Sequence, residues 1–398
     1  MGIKVVELPS SPPPRPASKP QETAVLTVNG VEFDDWESVF VQGRWADPFT
    51  YFRFAAAERD PVFGKQPYDV PLWEKLQFKP GDKCTVSLAQ VQVVSGVIEI
   101  RQAAYNATSH GVMLQGKSVT AWAARSSVDT KTGSFDGKNI LQVAQEVLAP
   151  YPVGIKTVGT LDLKPFVHLQ NEHGELIWDF LERLARPRGI VMGSDAHGNF
   201  LLIGPHTFPT VTQLIEGQNI KSCQCTIRHD MTYEQYDTRA QGTATDSRSG
   251  SDMSDLHATV ASRITTQPYS KLITAAEQPV TTQAEVQARV ENERVWHDDT
   301  EVQATITVQG WLYNESRLWT PGDQVFVRSP MAMLNQDMKI QNVTFTQDST
   351  NGTETVLDLV LPGLLKGSPN FDPSPPPSQP PTPTPPEPQP QPPAPIEE

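Results

Sequence analysis

The chain has 398 residues, more than one hydrophobic core usually supports, so two or three domains are expected. Its 46 acidic and 32 basic side chains leave a formal net charge of −14, which excludes a surface built to grip nucleic-acid phosphates, where Lys and Arg must dominate. The cysteines, Cys84, Cys223 and Cys225, are an odd number and fit a reduced, cytoplasmic-type protein. No apolar run reaches the ~18–20 residues that span a bilayer, so no membrane anchor is expected.

Residues 1–22, with SSPPPRPASKP at their centre, read as an extended, disordered Pro-rich arm. The amino terminus lacks the apolar stretch of a signal peptide. Val6 stands where myristoylation asks for Ser or Thr. The chain is therefore expected to fold in the compartment where it is made, unless a larger assembly carries it out. From Val25 a strand, the Asn29-Gly30 hairpin turn and a returning strand follow. Strands are predicted at 36–41, 49–55, 84–88, 91–100 and 110–116. In the second of these Tyr51 and Arg53 alternate with Phe52 and Phe54. This density of short strands over 23–117 predicts a first β-barrel module.

At Gly116 the texture changes, and 118–215 reads as a small α+β region. Ser118 is the expected N-cap of a short helix. Ile140, Val143, Ala144, Val147 and Leu148 lie on one helical face that Pro150 ends. A second helix is predicted over 175–185, with Leu176, Ile177, Phe180, Leu181 and Leu184 as its stripe and Pro187 and Gly189 as its stop. Strands at 190–192 and 200–203 frame the turn at Gly198-Asn199. From 216 to 363 a second β-barrel module is expected. It carries a mobile polar loop at 245–258 and a helix over 283–296, with Ala284, Ala288 and Val295 on one side and Val286 and Val290 beside them. Its closing strands are predicted at 302–310, 324–328, 338–347 and 355–361. Residues 364–398 are about half proline and read as a disordered, polyproline II-like tail.

One local device occurs twice. Phe78-Lys79-Pro80-Gly81-Asp82 and Trp319-Thr320-Pro321-Gly322-Asp323 both read aromatic-x-Pro-Gly-Asp and run into an alternating stretch. Pro presets φ, Gly accepts positive φ and Asp bonds nearby amides, so each copy predicts a tight turn that launches a strand. The second copy is longer: from Gly310, Trp311 and Trp319 flank a polar hairpin tip. The repeat suggests two related β modules in one chain.

Catalytic and metal signatures are absent from the sequence: there is no HExxH, GxSxG, Walker loop or calcium-loop pattern. Cys223-x-Cys225 with His229 falls short of the four ligands of a structural zinc site. Cys84 has no identifiable His partner. Asp34-Asp35 and Asp298-Asp299 are adjacent carboxylates on turn-like segments, where a glycosidase needs two carboxylates roughly 5–10 Å apart across a cleft. His173, at a helix start, reads as a surface residue. The chemistry thus predicts no enzyme, no catalytic residue, no metal site and no cofactor. Trp36, Trp45, Trp73, Trp311 and Trp319 allow either a sugar-stacking platform or, more simply, packing and subunit contacts. A surface carbohydrate-binding module on a Pro-rich stalk and a cell-wall hydrolase are the readings that this chemistry leaves to be weighed.

The order of elements resembles the baseplate hub proteins of contractile-tailed phages, the Mu-like tail protein P family. The matching stretches are collinear: VNGVEFDDWESVFV, FKPGDKCTVSL, HGVMLQGKSVTAW with Lys117 at a position often Arg, FDGKNILQVAQEVLAPYPVGI, GELIWDFLERLARPRGIVMGSDAHGNFLLI, EGQNI and VQGWLYNESRLWTPGDQVFVRSP. The Pro-rich ends are not part of that pattern. The resemblance, which extends to the hub part of type VI secretion spikes, implies a virion tail component assembled in the host cytoplasm. It further implies a homotrimer in which two tube-protein-like β-barrels per subunit form a pseudo-sixfold ring between tail tube protein and central spike protein, among other baseplate proteins. DNA would pass through the lumen without specific binding, and an acidic or neutral lumen is expected.

Overall fold

The structure is a computed structural model; it describes residues 22–362 apart from 60–76, 106–108, 131, 205–208, 231, 241–255, 264–268, 276–281 and 315. The expectations for the Pro-rich arm up to residue 21, for Trp73, for residues 245–255 and for the tail lie outside this set. Residues 256–258, expected in the mobile loop, instead begin a strand.

The first part of the chain forms β1 (Ala24–Val28), β2 (Val31–Phe33), β3 (Ser38–Arg44), β4 (Tyr51–Arg59), β5 (Lys83–Leu88), β6 (Val91–Tyr105) and β7 (Ser109–Ser118). Asn29 and Gly30 link β1 to β2 with φ of 51° and 81°, the two positive values that a tight hairpin turn requires. Along β4, Phe52 and Phe54 are fully buried while Arg53 is exposed, the alternation of a strand with one face on the core.

The middle region holds α1 (Thr120–Ala124), α2 (Ile140–Leu148), β8 (Gly154–Val158), α3 (Ile177–Ala185), β9 (Val191–Ser194) and β10 (Asn199–Ile203). All five predicted stripe residues of α2 are buried. Asn139 and Gln142 close a capping box, each side-chain oxygen accepting from the other's backbone amide at 3.0 Å. α3 starts later than expected, because Leu176 is extended at the N-cap and 37% exposed. Ser118 is not a helix cap. β7 runs on to this residue, its Oγ accepts from the Thr50 amide at 3.1 Å and lies 2.8 Å from Thr120 Oγ1, and Val119 takes the N-cap position without a side-chain bond.

The last part forms β11 (Thr210–Ile215), β12 (Ser222–Ile227), β13 (Gln235–Ala240), β14 (Leu256–Ala261), β15 (Lys271–Ala275), α4 (Gln283–Asp299), β16 (Val302–Gln309), β17 (Leu312–Tyr313), β18 (Arg317–Leu318), β19 (Gln324–Ser329), β20 (Leu334–Asp348) and β21 (Gly352–Val360). Strands β13 to β15 and α4 make a small unit of their own between β12 and β16, around Tyr236, Val286 and Val290. Ala284 and Ala288 face outward, contrary to expectation. The buried side of α4 continues instead through Glu293, Arg294, His297 and Asp298. Arg294 Nη1 lies 3.0 Å from Asp298 Oδ2, and Asp298 also accepts from Ser262 Oγ and the Arg263 amide. The Asp298-Asp299 pair is therefore helical, with Asp298 consumed in a buried ion pair; it is not solvated loop charge.

Among the described residues the strands do not form two closed barrels. Thirteen of them make one sheet whose main path runs β12-β16-β21-β20-β3-β4-β7-β6-β5-β1-β2, with β19 and β11 branching from β20. The path crosses from the last part of the chain to the first where β20 pairs antiparallel with β3, from Asn342↔Arg44 to Asp348↔Ser38. Its end strands β2 and β12 do not pair with each other, so the sheet stays open. One buried cluster continues through both parts. The α+β, strand-rich character holds. Barrel closure fails because strand alternation in a sequence specifies which face is buried but not which edge finds which partner.

Candidate functional site

The repeated Pro-Gly-Asp turns sit at corresponding places. Gly81 and Gly322 have φ of +97° and +94°, the region that the third residue of a type II turn needs and that favours Gly. Asp82 N donates to Lys79 O and Asp323 N to Thr320 O, both at 3.1 Å. Each turn then clasps a long strand by the same two bonds. Gly81 N donates to Ile98 O and Ile98 N to Asp82 O; Gly322 N donates to Ile340 O and Ile340 N to Asp323 O. Both long strands shift register directly afterwards, between Ile98 and Ile100 in β6 and between Ile340 and Asn342 in β20.

The equivalence extends over six strands. The pairing order β1-β5-β6-β7-β4-β3 is repeated as β11-β19-β20-β21-β16-β12, in the same chain order. Only the first pair differs in direction, β1 meeting β5 antiparallel and β11 meeting β19 parallel. The unit of β13 to β15 and α4 is inserted in the second copy where the first has the short link from β3 to β4.

The two turns differ in their surroundings. Gly81 is exposed, and a Cβ there would meet nothing within 4 Å. Gly322 is buried, and a Cβ there would overlap the six-membered ring of Trp45, the residue that follows β3. Trp45 N donates to Gln341 O at 2.8 Å, so it closes the β3–β20 seam. Burial pushes the Asp323 carboxyl up to about 6, against the opposing Thr320 backbone hydrogen bond and the Arg317 charge. Gly116 packs directly on the Phe52 ring, which occupies the space of any side chain there.

Trp311 is fully buried and Trp319 nearly so. Trp311 Nε1 donates to Thr346 O at 3.1 Å, and the Trp319 ring lies 4.9 Å from that of Tyr313. Both therefore pack the protein interior and offer no face to a sugar. Gly310 turns with φ +84° beside Glu22, whose Oε1 accepts from the amides of Trp311 at 2.7 Å and Leu312 at 3.2 Å. Glu22, assigned by composition to the disordered arm, thus ties the start of the chain to the second turn stretch. Neither Glu22 nor Trp45 carries a sequence signal for these contacts, because each acts on a segment roughly 290 residues away in sequence.

Burial pushes the Cys84 thiol up to about 12, with the Asp82 charge adding, which is the opposite of an activated nucleophile. Burial also raises Cys223 and Cys225. His229 Nδ1 lies 3.2 Å from a Glu301 oxygen. Among the described residues no group of His, Cys, Asp and Glu is arranged to hold a metal, and no helix is long and apolar enough to cross a membrane.

Residues 23–118 match the family described as Mu phage baseplate assembly protein GpP-like, N-terminal. Residues 120–204 match baseplate hub protein gp44-like, second domain, and residues 282–366 match Mu phage baseplate assembly protein GpP, fourth domain. The three follow one another along most of the described chain. The chain belongs to the Mu-like baseplate hub family. The baseplate hub protein gp44 of Escherichia phage Mu is 23% identical over 349 residues, 85% of this chain and 87% of that protein. The 43 kDa tail protein of prophage MuSo2 from Shewanella oneidensis shares the fold with a TM-score of 0.73 at 22% identity, over 87% of this chain and 99% of that one. A tail protein from Neisseria meningitidis MC58 does so with a TM-score of 0.71 at 18% identity, over 87% and 98%. As a member of this hub family the protein is a structural, non-enzymatic component of the virion tail baseplate, assembled in the host cell with other tail proteins.

Proposed function

We propose that the protein is the adapter of a contractile tail, a homotrimer that presents six similar β units as a pseudo-sixfold ring and joins the tail tube protein on one side to the central spike protein on the other. The observation that carries this reading is the duplicated strand order with its duplicated turn-to-strand clasp. Two equivalent units per chain let three chains meet a sixfold neighbour and a threefold one at once, which six identical subunits cannot do. Residues 23–118 and the strands from β11 to β21 supply the two units, and the middle region from α1 to β10 stands apart from the ring as a separate core. The net charge of −14 supports a lumen that repels phosphate, so that DNA passes without sticking.

Native mass measurement of the full chain, followed by titration with a polymerising tail tube protein, tests this. A stable trimer that caps tube ends is expected. A monomer, or a trimer that leaves tube assembly unaffected, would count against the adapter role. A ring lumen lined mainly by Lys and Arg would overturn the expectation for DNA.

A further inference from the structure

The duplication makes the β3–β20 seam a template. In that seam residues 342–348 pair with Ser38–Arg44, and Val39 and Val41 beneath it are 3% and 1% exposed. Each strand has a counterpart. β6 stands for β20, with Ile98 in the place of Ile340. β12 stands for β3: Cys225 reaches Ala304 and then Leu359, as Val41 reaches Phe52 and then Gly116. The bond from Lys221 N to Thr307 O likewise repeats that from Glu37 N to Ala55 O.

Neither counterpart has the seam. Among the described strands, residues 100–105 of β6 pair with β7 alone, and β12 pairs with β16 alone. Cys223 and Cys225 are half-buried where Val39 and Val41 are buried, and Ile100 and Ile227 are 51% and 46% exposed. The first Pro-Gly-Asp turn lies open at Gly81 where Trp45 covers Gly322; the residue in Trp45's position relative to β12 is His229. Unpaired strand edges are templates for another strand, and the one edge already known to fit β6's counterpart is β3, whose twin is β12.

We infer that β12 of one copy adds antiparallel to β6 of the next, with Cys225 opposite Ala103 and His229 over Gly81, so that the seam within each chain is repeated between chains. This rests on the trimeric reading above, whose two units per chain it joins into a continuous ring.

The test uses the full chain with Ala103→Cys, an exposed position, oxidised with diamide and run on non-reducing gels beside native mass measurement. Covalent dimers and trimers are expected, absent in Ala103→Cys with Cys225→Ser and absent for Ala104→Cys, which falls opposite Gln224 on the other face. Amides of β12 should exchange slowly in the trimer. A trimer without a disulfide between Cys225 and the thiol introduced by Ala103→Cys, and with fast-exchanging β12 amides, would overturn the edge pairing while leaving the trimer standing. A bond from the introduced thiol to Cys223 instead would overturn the register, and a monomer would overturn both readings.

Discussion

Gly322 shows how one position couples local backbone to long-range packing. Its positive φ alone makes a β-branched residue cost about 1–3 kcal/mol, and the Trp45 ring leaves no space for a side chain. Gly322→Val should therefore lower the denaturation midpoint clearly more than Gly81→Val, where the surroundings are open and only the backbone effect applies. Equal losses would mean that the Trp45 contact contributes nothing. Asp323 adds a pH signature. Its folded value near 6 exceeds its ordinary value of 3.8, so the folded state binds the extra proton between them. This group's contribution to stability is present below about 3.8 and is lost as pH rises through 6. Replacing it with Asn should flatten that component and stabilise the protein at pH 7, seen as a converging pair of melting curves as pH is lowered to 4. Parallel curves would contradict the buried carboxylate. Glu22→Gln weakens two amide contacts to Trp311 and Leu312 and should cost about 1–2 kcal/mol in chemical denaturation, whereas removal of residues 1–21 should not reproduce that loss.

At the scale of elements, the sequence is most legible where periodicity and punctuation agree. The stripe of α2, its stop at Pro150, the Asn29-Gly30 hairpin and the paired Pro-Gly-Asp turns are all readable because their causes are local. Asn139→Ala should remove the capping box and cost about 1 kcal/mol of stability, measurable by denaturant unfolding. What escapes sequence reading is non-local or contrary to type. α4 buries Arg294 against Asp298 and Glu293 against Arg289 and His297, so its inner face does not look apolar, and Ala284 and Ala288 do not mark it. Ser118 has the chemistry of a cap because Ser favours caps, but β7 claims it and its hydroxyl serves the Thr50 amide. Barrel closure is not foreseeable either way, because nothing in the alternation of β3 or β20 says that they pair with each other.

At the scale of the molecule, the repeat of one turn is the visible trace of a repeated six-strand unit. The seam between the two units is a strand pairing that links residues about 300 apart in sequence, and such pairings leave no pattern in either segment alone. The middle region keeps its own core of α1 to α3 and β8 to β10, separate from the repeated geometry of strands. In the proposed adapter, two equivalent units per chain would become six units around one axis. Imaging the purified full-length oligomer by electron microscopy tests this most directly. A threefold particle whose ring shows six similar β-rich lobes is predicted; a dimer, a true hexamer of chains, or a trimer whose two units lie at different radii would contradict it.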